Sequence, residues 1–399
     1  MKRIILRVFR WEYIWLTLIV IVTLSIHFTI ITRPSEMVLD EQHYINDARN
    51  IISKHETLRA EHPPLGKLII VGGIKIFGDN PWGWRFFSVF FGTATIVMFY
   101  FICRRLNMSR NGAAVATFFL ATENMTFIQA SVAMLDVYYL TFMMAAFLLY
   151  LNRRYINSGI SAGLAGLAKL NGLMAFPAIV IHWVFSRQRR SWWFLLFIFF
   201  AGLSFFELMI LFDFAIVQRF SALNDPFHRI KEMASLSGSL TFETVTHEAA
   251  SRPWEWLLSY KPMAYWYLPN YTGAISPSVW ALTIPSFGYM VFRAIKRSEA
   301  GLFGIAWFAG TYLLWIPASI ITDRISYPFY FYPTIGAVCL GMGMGIYDLF
   351  TLFRNRRSGK LKWTALAIVI LVVVAHLASF IILSPLMPID FNKLFHIGT

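Results

Sequence analysis

The chain has 399 residues, of which 57% are hydrophobic, 17% aromatic and only 14% charged, and its mean hydropathy is +0.58; so much apolar sequence excludes an ordinary soluble domain and puts most of the chain in lipid. A net charge of +14 would suit a nucleic-acid binder, but the basic residues sit in short clusters between apolar runs, as the positive-inside rule distributes them, so no nucleic-acid partner is expected. Cys103 and Cys339 both fall inside apolar runs, which excludes a disulfide framework and a thiolate metal centre.

The first apolar run, 13–31, follows a basic N-terminus and resembles a signal sequence, but it is long and no small-x-small cleavage site follows, so it reads as a retained first span. Further runs of spanning length lie at 84–103, 192–213, 277–294, 301–321, 327–352 and 363–384. Two longer regions are ambiguous: 112–151 is interrupted at Thr122-Glu123-Asn124, and 159–186 at Lys169-Leu170-Asn171-Gly172. If each is two spans, every basic cluster, from Lys2/Arg3 through Arg104/Arg105, Arg153/Arg154, Arg187/Arg189/Arg190 and Arg293/Lys296/Arg297 to Arg354/Arg356/Arg357, falls on one side. The expectation is an all-α polytopic membrane protein, one integral membrane domain over 1–399 with about eleven transmembrane helices and a cytoplasmic N-terminus. The loops rich in acids and histidines, 32–83, 122–136, 214–276 and 322–328, then share the non-cytoplasmic face, where chemistry is expected.

Within 32–83, Pro63-Pro64 ends one segment, and the apolar stretch Leu65 to Phe77 is too short to span comfortably, so an interfacial helix is expected there. The loop 214–276 carries Trp254, Trp256, Tyr260, Tyr265, Trp266 and Tyr267, rings suited to the headgroup level or to an interfacial lid. Glycines at 159, 163 and 166, and at 341 and 345, read as close helix packing.

The candidate site residues gather around the first outer loop. Asp40 and Glu41 follow directly on the first span, where an ionised carboxylate is costly unless it faces water, a partner or a substrate, and a carboxylate at a membrane surface is placed to take the proton from an incoming hydroxyl. His62 and Lys67 flank the rigid turn His-Pro-Pro-Leu-Gly-Lys. Arg85 and Arg324 lie at the ends of spans, either as interfacial anchors or as clamps on a lipid-linked phosphate, whose oxygens the guanidinium fork matches. Asp136 and Lys169 face the same side as Asp40, as part of a site or as a buried ion pair. His43, His55, His62 and His247 show no paired ligand spacing, so no metal is expected.

At these residues the sequence resembles the protein O-mannosyltransferases, membrane glycosyltransferases of the GT-C type. The match runs from Asp40-Glu41 through His62-Pro-Pro-Leu-Gly-Lys67 and Gly78-Asp-Asn-Pro-Trp-Gly-Trp-Arg85 to Met134-Leu-Asp136, with weaker echoes at Lys169-Leu-Asn-Gly172, at His247 with Arg252-Pro-Trp-Glu-Trp256, and at Asp323-Arg-Ile-Ser-Tyr327. The resemblance implies a GT-C-like fold and transfer of mannose, with inversion, from a polyprenyl or dolichyl phosphate to Ser or Thr hydroxyls of exported proteins, with no cofactor beyond that donor substrate. Asp40 would be the base, Glu41 its support, and His62, Lys67, Arg85, Asp136, Lys169, His247 and Arg324 the candidates around donor phosphate and acceptor. The sequence departs from the family where Ser131-Val132 stands for a Ser-Arg pair and Phe329-Tyr330-Phe331 for a Tyr-His-Tyr, and 214–276 is too short for the sugar-binding-like module of eukaryotic members. A lipid or glycan acceptor, as in the aminoarabinose transferases, stays open, as do a transporter or flippase reading and assembly as a dimer.

Overall fold

The computed structural model describes residues 13–186, 190–219, 226–267, 269–355 and 359–386. Among them the protein is helical apart from a short hairpin, β1 (Met263–Trp266) antiparallel to β2 (Tyr271–Gly273). Five helices are long and apolar enough to cross a membrane: Pro81–Arg105, Phe194–Val217, Glu299–Thr322, Pro328–Asn355 and Lys360–Leu383. A sixth candidate is the pair Asn124–Ser131 and Leu135–Leu151, bent by 113°, and Ile14–Ile30 and Leu170–Phe185 are shorter apolar helices. The chain is therefore an integral membrane protein whose described helices mark fewer spans by length and composition than the expected eleven.

In chain order, α1 is Ile14–Ile30, α2 Glu41–Lys54, α3 Pro64–Phe77, α4 Pro81–Arg105, α5 Arg110–Ala121, α6 Asn124–Ser131, α7 Leu135–Leu151, α8 Tyr155–Ala168, α9 Ala175–Phe185, α10 Phe194–Val217 and α11 Pro226–Gly238. After the short α12 (Glu255–Leu258) and the hairpin come α13 Pro277–Ala281, α14 Thr283–Ile295, α15 Glu299–Phe308, α16 Trp315–Thr322, α17 Tyr332–Asn355 and α18 Lys360–Leu383.

The run 112–151 breaks twice, and the polar residues at the first break explain why. Glu123, fully buried, caps α6 by accepting from Thr126 N at 2.7 Å and also accepts from Ser276 N at 2.8 Å, while Asn124 Nδ2 donates to Thr272 O at 2.6 Å and Ala274 O at 3.0 Å. A break that looks costly in lipid is the dock for the hairpin segment, whose backbone groups it satisfies. The loop at 122–124 and the end of 214–276 thus meet, as a shared face requires.

The apolar stretch after Pro63-Pro64 does form a helix, α3, with Pro64 at its first position, where a missing N–H costs nothing. Asn80 caps α4 through Trp82 N at 2.9 Å. Helices α3 and α4 touch through glycine: a Cβ on Gly73 would lie 2.2 Å from Gly83 O. At the other end of α3, a Cβ on Gly66 would lie 2.6 Å from Ala168 O, so the glycine in His-Pro-Pro-Leu-Gly-Lys lets this turn pack beside the residue preceding Lys169.

Candidate active site

Where the polar loops meet, they line a cavity of about 320 Å³. The first loop supplies Asp40, His43, Tyr44, Arg59, Glu61 and His62; the α8–α9 turn supplies Lys169 and Asn171; the second long loop supplies Ser237, His247 and Met263; and 324–330 supplies Arg324, Tyr327, Phe329 and Tyr330. Segments far apart in sequence, all assigned to one side by the charge pattern, build one site.

Asp40 precedes α2, after Leu39 in the left-handed region at φ 46°. Its backbone carbonyl receives the first helical N–H groups, from His43 at 2.9 Å and Tyr44 at 3.2 Å, whereas its carboxylate accepts no hydrogen bond from the described residues and lines the cavity. Burial pushes its pKa above the ordinary carboxylate value, against the opposing pull of Lys169 and His43. Such a carboxylate is a stronger base than an exposed one and still has its lone pairs to use.

Opposite in charge is Arg324. Its Nε is buried without a partner, and no hydrogen bond or ion pair engages its guanidinium among the described residues. The backbone holds it in place: Phe242 N donates to Asp323 O and Ile325 N to Leu240 O, each at 3.0 Å. An unpaired buried donor is costly unless something arrives to accept from it. Lys169, the second cation, ends α8 in an extended conformation and reaches Asp136 at 2.7 and 3.0 Å. Its ammonium also lies 5.6 Å from the Phe329 ring centroid, so it forms a buried ion pair on one side and borders the cavity on the other.

His62 lies 3.4 Å from the Tyr44 hydroxyl through Nε2. Burial first, then Lys169, Lys67 and Arg324, hold its pKa well below the usual value, so the imidazole is neutral at physiological pH. His247 is exposed at the mouth, its Nδ1 accepting from Ala249 N at 3.0 Å and its ring edge-on to Tyr327.

The remaining sequence candidates stand behind the cavity. Glu41 and Arg85 form a fully buried pair at 2.8 and 2.9 Å. Arg85 uses its other N–H groups on the carbonyls of Ile31, Pro34 and Glu36, which leaves none of its five donors for a phosphate. Glu41 in turn accepts from Val38 N at 2.8 Å and Ala133 N at 2.7 Å. This pair ties the end of α1, the start of α2, α4 and the α6–α7 break together, and so holds Asp40 from behind. Lys67 is also buried, donating to Thr57 Oγ1 at 2.8 Å and Arg59 O at 3.0 Å, with Asp47 at 3.9 Å; desolvation lowers its pKa to about 8. It props the loop that carries His62 and does not enter the cavity.

Tyr44 and Arg59 are cavity residues that the sequence did not single out, while Asn171 and Tyr327 stood in its motif echoes. Tyr44 had a signal: with Asp40 and His43 it has the i, i+3, i+4 spacing of one helix face. Arg59 had none, because an irregular loop brings it in. Among the described residues no three His, Cys, Asp or Glu side chains converge as a metal site.

Residues 61–215 match the model of the dolichyl-phosphate-mannose-protein mannosyltransferases. The polyprenol-phosphate-mannose–protein mannosyltransferase of Mycobacterium tuberculosis (strain ATCC 25618 / H37Rv) is 31% identical over 138 residues, 33% of this chain. Over this stretch the chain is similar to the protein O-mannosyltransferases. The Corynebacterium glutamicum mannosyltransferase is 29% identical over 157 residues, 35% of this chain. These alignments span 26% and 30% of the relatives' own lengths. The resemblance in fold to protein O-mannosyltransferases is far longer: the Saccharomyces cerevisiae Pmt1–Pmt2 complex bound to the sugar donor superposes with a TM-score of 0.72 at 12% identity, over 92% of this chain and 89% of that one. ArnT from Cupriavidus metallidurans, in the apo state, gives 0.55 at 17% identity, over 92% and 72%. Both likenesses concern the fold.

Proposed function

We propose that the protein transfers a mannose from a polyprenyl or dolichyl phosphate to Ser or Thr hydroxyls of exported proteins. The observation that carries this reading is one cavity holding a carboxylate that accepts no hydrogen bond and a guanidinium without a partner among the described residues, beside the Lys169–Asp136 ion pair. Asp40 takes the proton of the acceptor hydroxyl as its oxygen bonds to the anomeric carbon from the face opposite the phosphate. The bond from that carbon to the phosphate oxygen breaks, the configuration inverts, and the lipid phosphate leaves with one more negative charge than it brought. Arg324 and Lys169 receive that charge; preorganised donors of this kind are typically worth about 3 kcal/mol each. His62, neutral, and His247 stand at the wall and mouth where sugar and acceptor pass. Glu41, Arg85, Asp136 and Lys67 hold these groups in position, and no step uses a metal.

The topology that fits has about eleven membrane crossings, the broken helices among them, with α3 lying in the interface, the N-terminus in the cytoplasm and the cavity on the outer face. The reading is tested directly: purified protein is given polyprenyl-phosphate mannose and Ser/Thr-rich peptides, and products are read by mass spectrometry. Hexose on peptide supports the reading; hexose on a lipid or glycan alone moves the acceptor to that class, and transport without a glycosidic product removes the enzyme.

Two consequences follow for the same assay. Arg324→Gln is expected to raise the donor KM about tenfold and to lower kcat as well, since the charge it meets grows in the transition state; an unchanged donor KM and kcat would remove it from the phosphate site. The acid limb of kcat/KM is expected above the ordinary carboxylate pKa, because burial raises that of Asp40 and the base works only when ionised. A limb at or below pH about 4 would be that of an unperturbed carboxylate.

A further inference from the structure

The cavity has two walls from different loops, and among the described residues one side chain, Arg229, ties the segment 56–62 of the first to the helix of the second. Arg229 lies on α11, in the second long loop. Its Nη1 donates to Ala60 O at 2.7 Å and to Glu232 at 2.9 Å, its Nη2 to His62 O at 3.4 Å, and its Nε to Asp213, near the end of α10, at 3.3 Å. The segment it grips, 56–62, carries Arg59, Glu61 and His62 into the cavity, while Ser237 and Leu240 at and beyond the end of α11 line the other side. Helix α11 has its own anchor, Met233 packed with Leu167, Phe205 and Met209, so Arg229 is not needed to seat it. The rest of 56–62 is fastened from α2 and α3 alone: Asn50 holds Glu56 O, Asp47 holds Thr57 and Leu58 N, and Lys67 holds Arg59 O.

We propose that Arg229 is a positioning residue that clamps the first outer loop to the second across the cavity, and so sets the wall past which the acceptor polypeptide enters. Two carbonyls held by one guanidinium, itself fixed by two carboxylates, form a rigid bridge, and the charge on those carboxylates keeps the fork oriented. The donor phosphate ligands, Lys169 and Arg324, lie on other elements, so the clamp acts on acceptor more than on donor. The clamp rests on geometry alone; its kinetic consequence rests on the transfer reading above.

The test uses the full-length protein in nanodiscs, with hydrogen exchange and transfer kinetics on the same samples. Arg229→Gln is expected to lower amide protection within 56–62 about tenfold, with α17 unchanged, and to raise the peptide KM about tenfold while the donor KM stays within about twofold. Arg229→Lys, which keeps the charge but not the fork, is expected to fall between, and it carries the same comparisons if the glutamine variant does not fold. Unchanged protection in 56–62 overturns the clamp, and equal rises in the donor and peptide KM overturn its assignment to the acceptor side. If the wild type transfers no hexose to peptide, the functional reading has failed, and exchange alone then decides the clamp.

Discussion

Replacing Asp40 by Asn is expected to lower turnover by about 10²- to 10⁴-fold while leaving folding and donor binding nearly intact. The prediction follows from what the carboxylate does not do. It accepts no hydrogen bond from the described residues, so its charge supports no neighbouring element, and the turn around it is made by its backbone carbonyl, which Asn retains. Its pKa is raised in the folded protein, which fixes the sign of the stability effect: the fold prefers the protonated form, so ionisation costs folding free energy once pH rises past the ordinary carboxylate value, and a neutral Asn should be as stable as Asp at neutral pH or slightly more so. Thermal unfolding of the two proteins and a donor-binding titration separate loss of chemistry from loss of structure. A large drop in melting temperature in Asp40→Asn would make the residue structural.

Arg85→Met should do the opposite. The guanidinium is fully buried, with every donor engaged and Glu41 as its counter-charge. Removing it strands a buried carboxylate and the carbonyls of three residues, a change expected to cost about 3–5 kcal/mol. The double variant Glu41→Gln/Arg85→Met should recover part of that loss, because no charge is then left alone in the interior. Unfolding in detergent, measured for both single variants and the double, gives the coupling. If Arg85→Met keeps its stability and instead weakens donor binding, then Arg85 is the phosphate clamp that its place at the start of a span first suggested.

That contrast marks how much was legible in the sequence. The membrane class, the helical fold, α3 and the convergence of the polar loops follow from hydropathy, proline position and charge distribution, which act locally and leave a periodic trace. The number of crossings was less legible, since the break at Glu123-Asn124 is satisfied through a distant partner, Ser276, which hydropathy and length do not report. Among the site residues, motif and position named Asp40, His62, Lys169, His247 and Arg324, all of which line the cavity. Spacing could not tell that Glu41 faces inward to Arg85 while its neighbour Asp40 faces the cavity, because adjacent residues on a helix start point some 100° apart and only the packing of α4 decides which is buried. Lys67 and Arg85 are charged residues near a membrane surface in both readings; counting their hydrogen bonds is what separates a group that holds the site from one that meets the substrate.

The most direct test of the account is an in vitro transfer reaction with polyprenyl-phosphate mannose and Ser/Thr-rich peptide, comparing wild type with Asp40→Asn by mass spectrometry. The account predicts hexose on peptide from the wild type and almost none from the variant, with donor bound by both. Equal hexose from the two proteins would contradict Asp40 as the base, and failure of the wild type to bind the donor would contradict the glycosyltransferase reading itself.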